Sequence, residues 1–89
     1  MFRLWGKIIK DNKIIHDQVF ELDKKDLSLM EKVDQGIEAL CYDFDLQKPM
    51  WFSDNDSDFK IIANTRFSDH HFIESINFDY FEIEVIEDK

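Results

Sequence analysis

Apolar and polar residues alternate with a period of two near both ends of the chain. In FRLWGKIIK, residues 2–10, Phe2, Leu4, Gly6 and Ile8 fall on one side and Arg3, Trp5, Lys7 and Ile9 on the other, the spacing of a strand with two unlike faces. Asp11 and Asn12, which tolerate turn conformations, separate it from IIHDQVFEL. That run is rich in β-branched and aromatic residues and predicts the second arm of a hairpin. Two registers are open. A two-residue loop pairs Lys7 with His16; a three-residue loop pairs Lys7 with Asp17, Arg3 with Glu21, Trp5 with Val19 and Ile9 with Ile15. The second places two opposite-charge and two apolar pairs on one face, each contributing about 0.2–1 kcal/mol, and is the preferred register.

After the polar residues Asp23, Lys24, Lys25 and Asp26, the period changes to that of a helix. Ser28 followed by Glu31 has the spacing of a capping box, and Met30, Val33, Ile37, Leu40, Cys41 and Phe44 recur on one helical face. Gly36 inside this stripe costs about 1 kcal/mol relative to Ala and marks a close approach to another element. Pro49 prevents continuation. Residues 50–69 are irregular by pattern, with a short helix predicted near residues 56–63, capped by Ser53 or Asp54, and a further turn near residues 69–75. In NFDYFEIEVIE, residues 77–87, Phe81, Ile83 and Val85 alternate with Tyr80, Glu82, Glu84 and Ile86, predicting a final strand. If it neighbours the first strand, Arg3 and Lys7 face Glu82 and Glu84. The parts give ββα(α)β: one α+β domain over residues 1–89, with a three-stranded antiparallel or mixed sheet and one main helix on one face.

Composition supports a packed core and restricts the partners. The 89 residues are 44% hydrophobic with nine Phe, two Tyr and two Trp against two Gly and one Pro, which excludes disordered and low-complexity classes. Eleven basic and twenty acidic residues give 11 − 20 = −9; phosphate backbones and anionic lipid are repelled over roughly a 10 Å Debye length. Neither nucleic acid nor membrane is an expected partner. Cys41 is the single cysteine, so no internal disulfide forms, and there is neither a secretory leader pattern nor an uncharged apolar window long enough to span a bilayer. A soluble, cytoplasmic protein is expected.

The strings WGKIIK (residues 5–10), KPMWFSDN (48–55), ANTRF (63–67) and HFIESINFDYFEIEVIE (71–87) carry a resemblance to a group of short Firmicutes proteins of unknown activity. It extends from Phe2 through Glu87. The resemblance implies a cytosolic bacterial protein and supplies no catalytic residues.

Candidate chemistry is sparse. Asp54, Asp56 and Asp58 in SDNDSDF alternate as ligands in a calcium loop do, but counting Asp54 as the first ligand puts Phe59 at the required Gly and Thr65 at the bidentate Glu. A solvated acidic loop that caps a short helix is the simpler reading. His70 and His71, being adjacent, point to opposite faces of a strand or diverge by about 100° on a helix, and no CxxC or HxxxH spacing accompanies them. Zinc and other cofactors are therefore not expected. Cys41 as a nucleophile needs His16, His70 or His71 nearby; its place on the apolar stripe assigns it instead to the core, with a raised pKa. Gly6 and Gly36 are the only glycines, so no phosphate loop exists, nor does a GxSxG elbow. A catalytic pocket is also hard to build while filling the core of so short a chain.

Aromatic residues on polar faces point to interfaces. Trp5 lies between Arg3 and Lys7, either covered by the segment 50–69 or exposed; Trp51 and Phe52 plug the edge of the core; Arg66 clamps an anion or, more simply, pairs with a carboxylate. The reading reached is a non-enzymatic protein–protein interaction module with Trp5, Trp51, Tyr80 and Arg66 as candidate contacts. The alternatives are a small divalent-metal-dependent enzyme using Asp54, Asp56 and Asp58, and an acidic nucleic-acid mimic that blocks a basic protein. An outer face carrying Trp5, Ile9, Tyr80 and Ile86 calls for cover, which a second copy supplies as a homodimer.

Overall fold

Asp11 and Asn12 both adopt left-handed backbone conformations, with φ of 53° and 63°, the requirement of a tight two-residue turn whose twist matches a hairpin. It joins β1 (Phe2–Lys10) to β2 (Lys13–Leu22). Beside the turn Ile9 pairs with Ile14, yet Ile8 pairs with His16, so Ile15 is an extra residue in β2. This β-bulge reconciles the two registers. The loop has two residues, and from the bulge onward Lys7 opposes Asp17, Trp5 opposes Val19 and Arg3 opposes Glu21, as the cross-strand pairing preferred.

The computed structural model describes residues 1–88. After the hairpin come α1 (Leu29–Asp43), α2 (Ser53–Ile62), β3 (Asn64–Phe67), a 3-10 turn (Asp69–His71) and β4 (Tyr80–Asp88). The sheet order is β2-β1-β4-β3 and every neighbouring pair is antiparallel. The α+β class is as expected, but the sheet has four strands rather than three. The additional strand, β3, lies in the segment read as irregular.

One sheet face is the core. Phe2, Leu4, Ile8, Phe67, Phe81 and Ile83 project from it against Val33, Ile37, Leu40 and Cys41 of α1, all buried. The approach is close because of two glycines. A Cβ on Gly6 would lie 2.7 Å from Leu40 Cδ1, and one on Gly36 would lie 2.6 Å from Leu4 Cδ2, both inside van der Waals contact. Each glycine thus receives a leucine from the opposite element. Ser28 and Glu31 close the start of α1 reciprocally: Ser28 Oγ accepts from the Glu31 amide at 3.2 Å, and Glu31 Oε1 accepts from the Ser28 amide at 3.1 Å.

Three residues earlier than expected, α2 begins at Ser53, and its N-cap is Phe52 rather than Ser53 or Asp54. Asn55 explains the shift. Its Oδ1 accepts from the Phe52 amide at 2.8 Å, while its buried Nδ2 donates to Thr65 Oγ1 at 2.9 Å and to the Arg66 carbonyl at 3.1 Å. One side chain therefore starts the helix and ties it to β3. Ala63 ends α2 with φ of 51°, a left-handed conformation that favours glycine, and the Val85 amide donates to its carbonyl at 3.0 Å. Among the described residues no helix is long and apolar enough to cross a membrane.

Burial pushes the Cys41 thiol from 9.0 up to about 12, only partly offset by the Lys48 charge. The folded state thus holds the thiol proton more tightly than the unfolded chain. The associated stability is complete below pH 9 and is lost as pH rises from there toward about 12. Alkylation of Cys41 is expected to be slow in native protein at mildly alkaline pH and fast in denaturant; equal rates in the two states would contradict its burial in the core.

Candidate functional site

The outer sheet face is built from alternate residues of all four strands and is ionic rather than apolar. Arg3 Nε lies 2.9 Å from Glu21 and 3.1 Å from Glu87. Lys7 Nζ lies 2.8 Å from Glu82 and 3.2 Å from Glu84, and Arg66 Nε reaches the other oxygen of Glu82 at 2.7 Å. Asn64 Nδ2 donates to Glu82 at 3.2 Å. Lys7 and Glu82 are 6% and 7% exposed, so this pair is part of the interior although it lies on the face without a helix. Trp5 and Tyr80 complete the layer. The Lys7 ammonium sits 3.9 Å from the Trp5 ring, the Arg66 guanidinium 4.8 Å from the Tyr80 ring, and Trp5 Nε1 donates to Asp17 at 2.9 Å.

These contacts revise the expected apolar patch. Trp5 is half-buried by its own strand neighbours and not by residues 50–69, which pack on the core side through Phe59 and Phe67. Trp51 stands edge-on to Phe59 with ring centres 5.7 Å apart and donates to Asp56 at 2.8 Å, closing the core edge. Arg66 takes the ion-pair role. Ile86 and Tyr80 of that face remain exposed, as do Tyr42, Ile61, Ile62 and Ile73 outside the sheet. On β2, residues 13–19 are all exposed, with Ile14, Ile15 and Val19 50%, 46% and 37% accessible. Among the described residues no further strand lies beyond β2.

A second cluster joins α2 to the 3-10 turn. Asp54 Oδ2 is 3.4 Å from His71 Nε2 and 4.0 Å from His70 Nε2, and the two imidazole centres are 3.9 Å apart. The adjacent histidines converge because both fold back on one residue: the Ser68 amide donates to His71 Nδ1 at 3.1 Å, and Ser68 Oγ lies 2.9 Å from His70 Nδ1. The sequence signal for this is Ser68 with His71 three residues later, the spacing of a helix-start contact. Asp54, Asp56 and Asp58 lie on a helix rather than in a loop, and they do not converge. Asp56 accepts from Trp51 and Asp58 from Thr65 Oγ1 at 3.2 Å; only Asp54 turns toward the histidines.

A cleft of about 570 Å³ opens under the turn end of the hairpin, lined by Ile8, Ile15, His16, Phe44, Phe72 and Phe78 among others. It lies between the turn end of the hairpin and the C-terminal end of α1, with Asp45, Leu46 and Gln47 also on its wall. His16 lines this cleft, whereas Cys41 does not and is buried at 3% exposure. Among the described residues the one group of three potential metal ligands is Asp54, His70 and His71, so the cleft has none. No family model, curated protein or solved structure matches the chain.

Burial alone would raise the Glu82 carboxyl, but hydrogen bonds from Lys7, Arg66 and Asn64, with the Lys7 charge, outweigh it and hold the group below its ordinary 4.5. The resulting stability is present above pH 4.5 and is lost as pH falls through the folded value. Glu82→Gln is expected to cost about 1–3 kcal/mol at neutral pH and to flatten the acid limb of stability measured by urea unfolding. An acid limb as steep as that of the parent would contradict this role.

Proposed function

We propose that the chain is a non-enzymatic protein-interaction module that pairs with a second copy of itself along the open edge of β2. The observation that carries this reading is the seven-residue stretch 13–19, exposed on both faces at the end of the sheet with three accessible β-branched residues. Such an edge offers unpaired backbone groups, and strand addition satisfies them. Antiparallel pairing about Asp17 opposes Ile15 with Val19 and Lys13 with Glu21, each twice by symmetry. It also brings Asp17 against its own copy and joins two chains of charge −9. The bulge at Ile15 further weakens pairing at the turn end. The affinity is therefore modest and rises as salt screens the repulsion.

Light scattering at two protein concentrations and two ionic strengths tests the proposal. A dimer fraction that grows with both, and is abolished by Ile15→Lys, is expected. A monomeric mass under every condition would overturn self-pairing and leave the edge to a different protein.

A further inference from the structure

We propose that Asp54, His70 and His71 form a binding site for a first-row divalent transition metal ion, with Zn²⁺ as the test ion. Their ligand atoms lie within 4.8 Å of one another. A tetrahedral zinc site with bonds of about 2.0–2.1 Å separates its ligands by roughly 3.3–3.4 Å, and Asp54 Oδ2 already stands 3.4 Å from His71 Nε2. His70 Nε2, at 4.0 Å from the same oxygen, closes the remaining gap by a small swing of an exposed side chain.

An independent observation points to a ligand. His71 is 1% exposed, and among the described residues its Nε2 makes no hydrogen bond of good geometry, its nearest recorded polar neighbour being Asp54 Oδ2 at 3.4 Å. Buried polar atoms are rarely left this way, since the lost solvation is not recovered. The ring is also fixed in place, edge-on to Phe67 and against Phe52, with centres 5.4 Å and 5.1 Å away. His70 is prepared from the other side: when Nδ1–H donates to Ser68 Oγ, 2.9 Å distant, Nε2 presents a lone pair. Two imidazoles with one carboxylate suit zinc and its first-row neighbours rather than Ca²⁺ or Mg²⁺. Three protein ligands leave a coordination position for water.

The proton on His71 has to move. Because the Ser68 amide donates to Nδ1, the metal-free neutral ring carries its proton on Nε2, facing Asp54. Binding places the metal on Nε2, the Nε2 proton leaves to solvent, and Nδ1 takes one up, so no net proton is released. The Ser68 hydrogen bond is given up. Losing one such bond weakens binding by roughly tenfold, which gives an exchangeable site rather than a closed structural one.

The test is a calorimetric titration of the full chain with zinc chloride at neutral pH, repeated with calcium chloride, on the parent and on Asp54→Ala, His70→Ala and His16→Ala. His70 and Asp54 are exposed, so these variants are expected to fold like the parent, as checked by their melting curves. One zinc per chain at sub-millimolar concentration is expected, with at least about tenfold weaker binding in Asp54→Ala and His70→Ala, unchanged binding in His16→Ala and no calcium heat. Long-range imidazole ¹H–¹⁵N spectra should show His71 passing from the Nε2–H to the Nδ1–H form on zinc addition. Absence of zinc binding, binding undiminished in both site variants, or a His71 tautomer unchanged at saturation would each overturn the proposal.

Discussion

The ion pair of Lys7 with Glu82 joins the two central strands from opposite ends of the chain, 75 residues apart, at 2.8 Å and almost out of solvent. Burying two charges is costly unless their remaining hydrogen-bonding capacity is met. Here Glu84, Trp5, Asn64 and Arg66 meet it. The consequence reaches through the sheet. Fixing β1 beside β4 sets Leu4, Gly6 and Ile8 next to Phe81 and Ile83, and that apolar floor is what α1 covers with Leu40 over Gly6.

The charges of this face are matched within the chain. Arg3, Lys7 and Arg66 are each engaged by carboxylates of neighbouring strands, and Trp5 and Tyr80 lie against cations. Backbone groups at the end of the sheet have no such internal remedy. The two candidate sites follow from this division: the edge of β2, where the sheet stops, and the Asp54–His70–His71 cluster, where α2 meets the turn after β3. They lie at opposite ends of the strand order, so each can be altered without touching the other.

Much of the sheet was legible because period-two alternation and charge complementarity both bear on it. The pairings of Arg3, Trp5 and Lys7 with β2 were readable from residue type. Of the expected facing of Arg3 and Lys7 with Glu82 and Glu84, Lys7 does meet both, but Arg3 pairs with Glu87 because the register of β1 on β4 shifts between Arg3 and Leu4. The bulge at Ile15 was not readable, because each simple register satisfies only one end of the hairpin. Strand β3 escaped because four residues, Asn64–Phe67, carry too few alternations to stand out, and its start depends on Ala63 in a conformation usually taken by glycine. The α2 boundary depended on Asn55, whose partners Thr65 and Arg66 are tertiary. The convergence of His70 and His71 was hidden for a related reason: strand and α-helix both separate adjacent side chains, whereas a short turn folded onto Ser68 brings them together.

A double-mutant cycle on Lys7→Met and Glu82→Met, with stability read from urea unfolding at neutral pH, tests most directly whether the buried pair organises the sheet. A favourable coupling above about 1 kcal/mol is predicted, as found for side chains in one buried network, against a few tenths for the exposed pair of Arg3 with Glu21. Coupling between Lys7 and Glu82 no larger than that of the exposed pair would contradict the account.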